Sequence, residues 1–223
     1  MNGKLIVIEG VDSSGKATQS ELLFNEISKK YNTKLITFPD YESDFSLPVR
    51  RYLAGDLGKN PDDVGAYAAS SFYAIDRYAS FKTKWGDFYN NGGVIIADRY
   101  TTSNIVHQAS KIKGDKKEFI DWLLDYEYNK LTLPVPDLVI FLDMPPESAA
   151  YLMRERKNKI TGESQKDIHE SDFSFLTKSY ENAVGVASIC GWHRIRCADG
   201  ENIRTISDIH DEIMLKVNEV LGK

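Results

Sequence analysis

Leu5-Ile6-Val7-Ile8-Glu9-Gly10-Val11-Asp12-Ser13-Ser14-Gly15-Lys16-Ala17-Thr18 is the stretch that decides the architecture of this chain. Its four consecutive aliphatic residues read as a strand covered on both faces. Gly10 and Gly15 then bracket a loop, and beyond Lys16 the residues Leu22, Leu23 and Ile27 recur on one side of a helix. Glycines at these places let the main chain curl until successive N–H groups point inward as an anion nest. The following helix adds the positive end of its dipole, and Lys16 adds a point charge. Gly10, Val11, Asp12, Ser13, Ser14, Gly15, Lys16, Ala17 and Thr18 are therefore expected to cradle the phosphates of a nucleoside triphosphate.

One position departs from the usual form of such a loop. A hydroxyl normally follows the lysine and reaches Mg2+, but here Ala17 stands there and the hydroxyl comes one place later, at Thr18. One step along a helix turns a side chain by about 100°, so Thr18 does not substitute directly. A carboxylate elsewhere is then needed for the metal. Asp98, which closes the apolar run Val94-Ile95-Ile96-Ala97, is the candidate, because open α/β sheets place ligands beyond the carboxyl ends of their strands. Capping of the next helix is the other reading of the same residue.

Outward from this stretch, apolar runs and helical stripes alternate to the end of the chain. Candidate strands fall at residues 5–9, 34–38, 94–97, 138–142 and 193–196. The first four are apolar enough to be covered on both faces, and the fifth is polar enough for a sheet edge. A helix is predicted over residues 16–31. Asn60-Pro61-Asp62-Asp63 predicts a long helix that runs to about Trp85, with Gly86 ending it. Thr205 and Asp208, at capping-box spacing, open a last helix that stripes Ile206, Ile209, Ile213, Val217 and Leu221 on one face. There is neither an internal repeat nor a Pro/Gly/Ser-rich linker. The expectation is one domain over residues 1–223, an α/β fold with a mostly parallel five-stranded sheet and helices on both faces.

Composition narrows the function. With 42% hydrophobic and 27% charged residues, the chain can fill one substantial core, which excludes collagen, coiled coil and disordered tail. Lys and Arg number 28 against 33 Asp and Glu, and the net charge of −5 argues against non-specific binding to nucleic acid. No run of about 18 apolar residues suggests a membrane span, and the apolar part of the N-terminus is too short for a signal peptide. Cys190 and Cys197 lack CxxC spacing, so a reducing cytoplasm is the expected setting. The four histidines show no paired ligand spacing, so structural zinc is not expected. Residues 154–170 are rich in Lys and Arg and read either as a solvated segment or as a basic lid over an anionic substrate.

The loop alone does not separate kinases from GTPases. Neither Asn129-Lys130-Leu131-Thr132 nor Asn158-Lys159-Ile160-Thr161 has the Asp of an Asn-Lys-x-Asp guanine reader, which argues against the switch class. Five marks in order then carry a specific likeness. They are Ile8-Glu9-Gly10-Val11-Asp12 flowing into Gly15-Lys16-Ala17-Thr18-Gln19, Phe38-Pro39, Tyr73-Ala74-Ile75-Asp76-Arg77, Asp98-Arg99-Tyr100, and Pro136-Asp137-Leu138 leading to Leu142-Asp143. Along nearly its whole length the chain resembles the thymidylate (dTMP) kinases.

That resemblance implies a P-loop NTPase-type three-layer fold, a homodimer, ATP and Mg2+ as cofactors, and transfer of the γ-phosphoryl group of ATP to dTMP. Residue by residue, it implies that residues 10–18 hold ATP while Asp12 leans toward the sugar of the acceptor. Phe38 and Pro39 line the acceptor site, Tyr73 stacks on the pyrimidine, and Arg77, one helical turn on, reaches toward the acceptor's phosphate. Arg99 meets that phosphate beside the transferring group. Ser103, Asn104, His107 and Gln108 read the base, with Gln108 able both to donate and to accept. Arg154 and Arg156 are the lid candidates for catalysis, with Lys159, Lys166 and the acidic Glu170 behind them; two apart, the two arginines diverge on a continuous helix.

In one place the chain departs from the family. After Phe-Pro the family often has an acidic residue and then Arg, whereas this chain reads Phe38-Pro39-Asp40-Tyr41. Arg50 or Arg51, and in particular Arg51, is the candidate to replace that guanidinium; ordinary exposed arginines are the alternative. Two rival functions follow from these departures: a kinase of another nucleoside monophosphate or of a deoxynucleoside, and a non-catalytic nucleotide-binding protein.

Overall fold

The computed structural model describes residues 3–153, 173–200 and 202–222. Five strands form its centre: β1 (Lys4–Gly10), β2 (Thr33–Thr37), β3 (Val94–Asp98), β4 (Leu138–Asp143) and β5 (His193–Arg196). They lie in the order β2-β3-β1-β4-β5, and every pairing is parallel. The sheet is the one expected, with β5 at an edge. β1 is central, and its register sets Ile8 opposite Asp98 and Gly10 opposite Leu142. The loop that leaves β1 thus emerges between the carboxyl ends of β3 and β4.

Side chains alternate across a strand, and along β1 they divide between two cores. Ile6 and Ile8 pack with Leu23, Ile27, Ile213 and Val217, from α1 (Lys16–Ile27) and α9 (Ile206–Leu221). Leu5 and Val7 pack on the opposite face with Trp85, Tyr89 and Tyr100. On that side lie α3 (Ala66–Ser80), α4 (Gly86–Asn90) and α5 (Thr101–His107), preceded by α2 (Leu47–Leu53) and followed by α6 (Lys117–Leu124). α7 (Pro146–Met153) and α8 (Phe173–Ile189) come between β4 and β5. A small antiparallel pair, β6 (Ala198–Asp199) with β7 (Asn202–Ile203), precedes α9. Asp143, at the end of β4, accepts from Arg194 Nε at 2.8 Å and from Tyr180 Oη at 2.9 Å, which ties β5 and α8 to the same sheet end.

Five expectations are corrected. The helix predicted to reach residue 31 ends at Ile27. β2 is not covered on both faces, because it is the outer strand beyond β3 and most of its residues stay exposed or half-buried. The long helix predicted from Asn60 is broken: Asp63 folds back to accept from Asn60 N at 2.9 Å and closes a single 3-10 turn. Val64 is extended, and α3 starts at Ala66. Gly86 does not stop that helix either. The helix widens over Phe81–Trp85 and continues into α4, and a Cβ on Gly86 would lie 2.5 Å from Phe81 O. The widened turn thus requires glycine for space. Finally, Ile206 lies outside the stripe of α9, at 57% exposure, while Ile209, Ile213 and Val217 are buried.

Ile213→Ala is expected to cost about 2–5 kcal/mol, as buried aliphatic truncations do. Ile206→Ala is expected to stay within about 0.5 kcal/mol. Urea unfolding of the two variants checks both values.

Candidate active site

The loop after β1 has the shape its glycines dictate. A Cβ on Gly10 would meet Ser14 Oγ at 2.5 Å and Leu142 O at 3.0 Å, so only glycine lets the chain turn this close to β4. Gly15 has φ +90° and caps α1 without a side-chain acceptor, and no acidic residue stands in the first turn of that helix. The N–H groups at the start of α1 therefore face the loop with their dipole unneutralised. Lys16 is buried, and its Nζ donates to Val11 O at 2.6 Å. Burial first, and then Arg99, push its pKa down to about 7. Ala17 and Thr18 lie on the exposed side of the helix.

Beside the loop stands a buried ionic knot. Glu9, wholly buried, accepts from Gly10 N at 2.9 Å, Thr102 Oγ1 at 2.6 Å and Ser103 Oγ at 2.8 Å. Arg99 Nη1 donates to Gly10 O and Ser103 Oγ, each at 3.2 Å, and lies 3.4 Å from Glu9 Oε1. Its other terminal nitrogen binds Asp12. Arg99 is a donor only, so His107 Nε2 accepts from it at 3.2 Å. Burial works against the guanidinium, but Asp12, Glu9 and Asp98 outweigh it and raise its pKa. Arg99 has φ +70°, a left-handed turn that ends β3 and swings its side chain toward the loop. Asp98 is buried next to it, and its Oδ1 has no hydrogen-bond partner among the described residues. Arg99, Asp98, Lys16 and Asp12 are thus gathered at one end of the sheet. Sequence reasoning passed over Glu9; its signal was an acidic residue closing an otherwise aliphatic strand.

α3 and α5 form the neighbouring wall. Phe38 is buried with its ring centroid 6.1 Å from that of Tyr100, and its carbonyl leads into Pro39. Tyr73 is half-buried and meets Tyr52 edge-on at 6.4 Å, in a cluster that includes Tyr41. The aromatic Tyr41 therefore packs where the family often has arginine, and its phenol is close enough to Arg99 to act on it electrostatically. Ser103 faces the ionic knot, and Asn104 Nδ2 donates to Ser70 O at 3.3 Å. His107 stacks on Phe175 with centroids 6.2 Å apart, and Gln108 is buried. Asn182 of α8 braces this wall. Its Nδ2 donates to Ile105 O at 2.6 Å and Val106 O at 2.9 Å, while its Oδ1 accepts from Lys116 Nζ at 2.8 Å.

Two predicted arginines are placed elsewhere. The Arg77 guanidinium turns inward, with Nε 2.6 Å from Glu127 Oε2, Nη2 2.5 Å from Glu127 Oε1 and Nη1 3.4 Å from Tyr100 O. Both partners are sealed from solvent, and Thr101 Oγ1 donates to the same carboxylate at 2.7 Å. A fork held by both carboxylate oxygens is an alignment element for α3 and α5, not a free phosphate contact. Sequence reasoning missed Glu127 because it lies 50 residues away, in the widened turn Asp125–Lys130 after α6. Arg51 points to solvent and pairs with Asp56 at 2.8 Å. Its neighbour Arg50 is the one folded inward, with Nη2 3.5 Å from Ser43 O. Arg154, Arg156, Lys159, Lys166 and Glu170 lie outside the described residues.

Comparisons with known proteins point to one family. The thymidylate kinase family profile matches residues 8–202. Thymidylate kinase of Schizosaccharomyces pombe is 31% identical over 191 residues, covering 78% of this chain and 83% of its own. That of Plasmodium falciparum is 25% identical, covering 98% and 91%. In fold, the chain is similar to the structure of thymidylate kinase from Candida albicans, with a TM-score of 0.72 at 24% identity over 98% of this chain and 93% of that one.

Lys16 makes stability depend on pH. Between about pH 7 and its ordinary 10.5 the unfolded chain holds a proton that the folded one has released, so stability rises with pH across that window. The slope is at most about 1.4 kcal/mol per pH unit. Urea unfolding of the nucleotide-free protein at pH 7 and pH 9 should show the rise, and Lys16→Met should flatten it. Separately, Glu127→Ala is expected to cost about 3–5 kcal/mol, because Arg77 would be left buried and unpaired; thermal unfolding measures it.

Proposed function

The chain belongs to the thymidylate kinase family and carries out its reaction, ATP + dTMP → ADP + dTDP, and from this premise we propose how its own residues divide the work. An acceptor phosphate is already largely ionised near neutral pH, so no general base is required. The protein must bring two polyanions end to end, suppress their repulsion and stabilise charge on the transferring group. The loop of residues 10–16 and the start of α1 take the triphosphate through main-chain N–H groups. Lys16, held at Val11 O by one hydrogen bond, swings onto a phosphate oxygen, whose negative charge favours the protonated amine. Arg99 holds the acceptor's phosphate in line, its approach fixed by Glu9 and Ser103. Tyr73 stacks on the pyrimidine, Phe38 and Pro39 close the pocket beside it, and Gln108 reads the base edge.

Asp98 fits the Mg2+ that such kinases use, since its buried Oδ1 has no protein partner among the described residues. When bound, the ion would supply positive charge to the phosphates of ATP. Arg154 and Arg156 complete the charge over the triphosphate in this reading, and Arg51 has no part in it. The acidic net charge is no obstacle, because cations are clustered where the phosphates meet. The reading takes residues 1–223 as one domain. Two cysteines outside any disulfide, one of them exposed, favour the cytoplasm.

The observation that carries the reading is the convergence of Lys16, Arg99 and Asp98 on the loop after β1. ADP release in a panel of dTMP, dUMP, CMP, GMP and thymidine tests it, with dTMP expected to be preferred. Lys16→Ala should lower kcat by about a hundredfold or more with the far-UV spectrum unchanged. Wild-type turnover in that variant, or ADP release indifferent to the acceptor, would sink the reading.

The same chain is proposed to pair as a homodimer. Ile75 and Tyr78, one turn apart on α3, are exposed at 46% and 38%, next to Phe45 and Leu47 at 53% and 47%. Light scattering should give the mass of two chains for the wild type and of one for Ile75→Asp.

A further inference from the structure

Lys111 ends a 3-10 turn, Ala109–Lys111, that follows α5, and it is half-buried. Its Nζ donates to Tyr52 Oη at 2.8 Å and to Val64 O at 3.1 Å, and it lies 5.1 Å from the centre of the Tyr52 ring. Both acceptors are neutral. Burial pushes the pKa of this ammonium down to about 8, and the charge of Asp62 offsets the shift only in part. A cation drawn out of water onto uncharged oxygens is costly, so its placement asks for a cause.

What the ammonium holds supplies one. It joins three elements: the end of α5, Tyr52 of α2, and the extended Val64 that leads into α3. Tyr52 is wholly buried, and its hydroxyl accepts from Lys111 while donating to Pro61 O at 3.4 Å. A phenol engaged both as acceptor and as donor has its ring direction fixed. That ring meets Tyr73 edge-on, with the two planes at 90° and the centroids 6.4 Å apart. Val49, Leu53 and Ala69 complete the buried cluster on which Tyr73 packs. The tilt of the half-buried Tyr73 ring is therefore passed on from Lys111 by way of Tyr52.

We propose that Lys111 is a positioning residue for the acceptor, acting through Tyr52 to fix the plane of the Tyr73 ring. The proposal rests on the dTMP reading above, in which the pyrimidine stacks on Tyr73. Stacking depends on the angle and offset of the two rings. A ring held at its angle before the nucleotide arrives has less freedom to lose on binding. The bonds of Lys16 and Arg99 run to other residues, so loss of the Lys111 ammonium weakens capture of the acceptor and leaves phosphoryl transfer as it was.

The test is a double-mutant cycle in the full chain: Lys111→Met, Tyr52→Phe and the two together, with steady-state kinetics for dTMP and ATP. Each single variant should raise the KM for dTMP about three- to tenfold, the worth of one aromatic contact. Turnover and the KM for ATP should stay within about twofold. The double variant should be no worse than the weaker single one, because both changes break the same link. Lys111→Arg, which keeps a donor, should restore the KM for dTMP to within about twofold of the wild type. An unchanged KM for dTMP in Lys111→Met, or losses that multiply in the double variant, would overturn the role of Lys111 alone. So would equal losses for ATP and dTMP together with a lower unfolding temperature, the mark of a general structural defect. A wild-type chain that turns over ATP with another acceptor but not with dTMP would overturn the acceptor reading and this proposal with it.

Discussion

The contact between Glu9 and the Arg99 guanidinium is the constraint around which the site is arranged. Glu9 stands one residue before the end of the central strand, and Arg99 follows the strand beside it, so the parallel register itself brings the two together. A carboxylate in this place would be expensive to bury alone. It is tolerated because a main-chain N–H, two hydroxyls and a guanidinium surround it. In return it fixes the approach of α5 to the phosphate loop. Asp12, on the loop, binds the other terminal nitrogen of the same guanidinium, so one arginine joins the loop after β1 to Ser103 on α5.

A second buried ion pair does a different job. Arg77 and Glu127 hold α3 against the start of α5. The Arg99 knot retains some access to solvent, while this pair has none. Alignment of α3 thus falls to one arginine, and bracing of the loop after β1 to the other.

The degree to which each part was legible in the sequence follows from the range of the interactions. The phosphate loop and the five strands were readable because they depend on local facts: aliphatic runs, glycines where a Cβ would clash at Gly10, and a lysine at the start of a helix. β2 was misjudged because its apolar residues resemble those of an interior strand, and only the sheet order reveals that it has a single neighbour. Asn60 signalled a helix start, but the Asp63 carboxylate that answers it closes a turn, and the extended Val64 then separates the signal from the helix. Arg77 was assigned to phosphate because nothing near it in the chain competes; Glu127 lies too far away in sequence for any spacing rule to pair them. Arg50 and Arg51 differ only in the side of one short helix they occupy, a distinction that depended on Asp56 and Ser43.

Asn182 has a bearing on how the chain tolerates change. One amide on α8 holds two carbonyls of α5 and a lysine ahead of α6, so a helix far along the chain serves as scaffolding for α5, beside the loop after β1. A substitution in α8 that turns this amide away frees two carbonyls of α5 without altering any residue of the loop after β1. Redesign of α8 must therefore preserve where that amide lands, a requirement that its own helical pattern does not reveal.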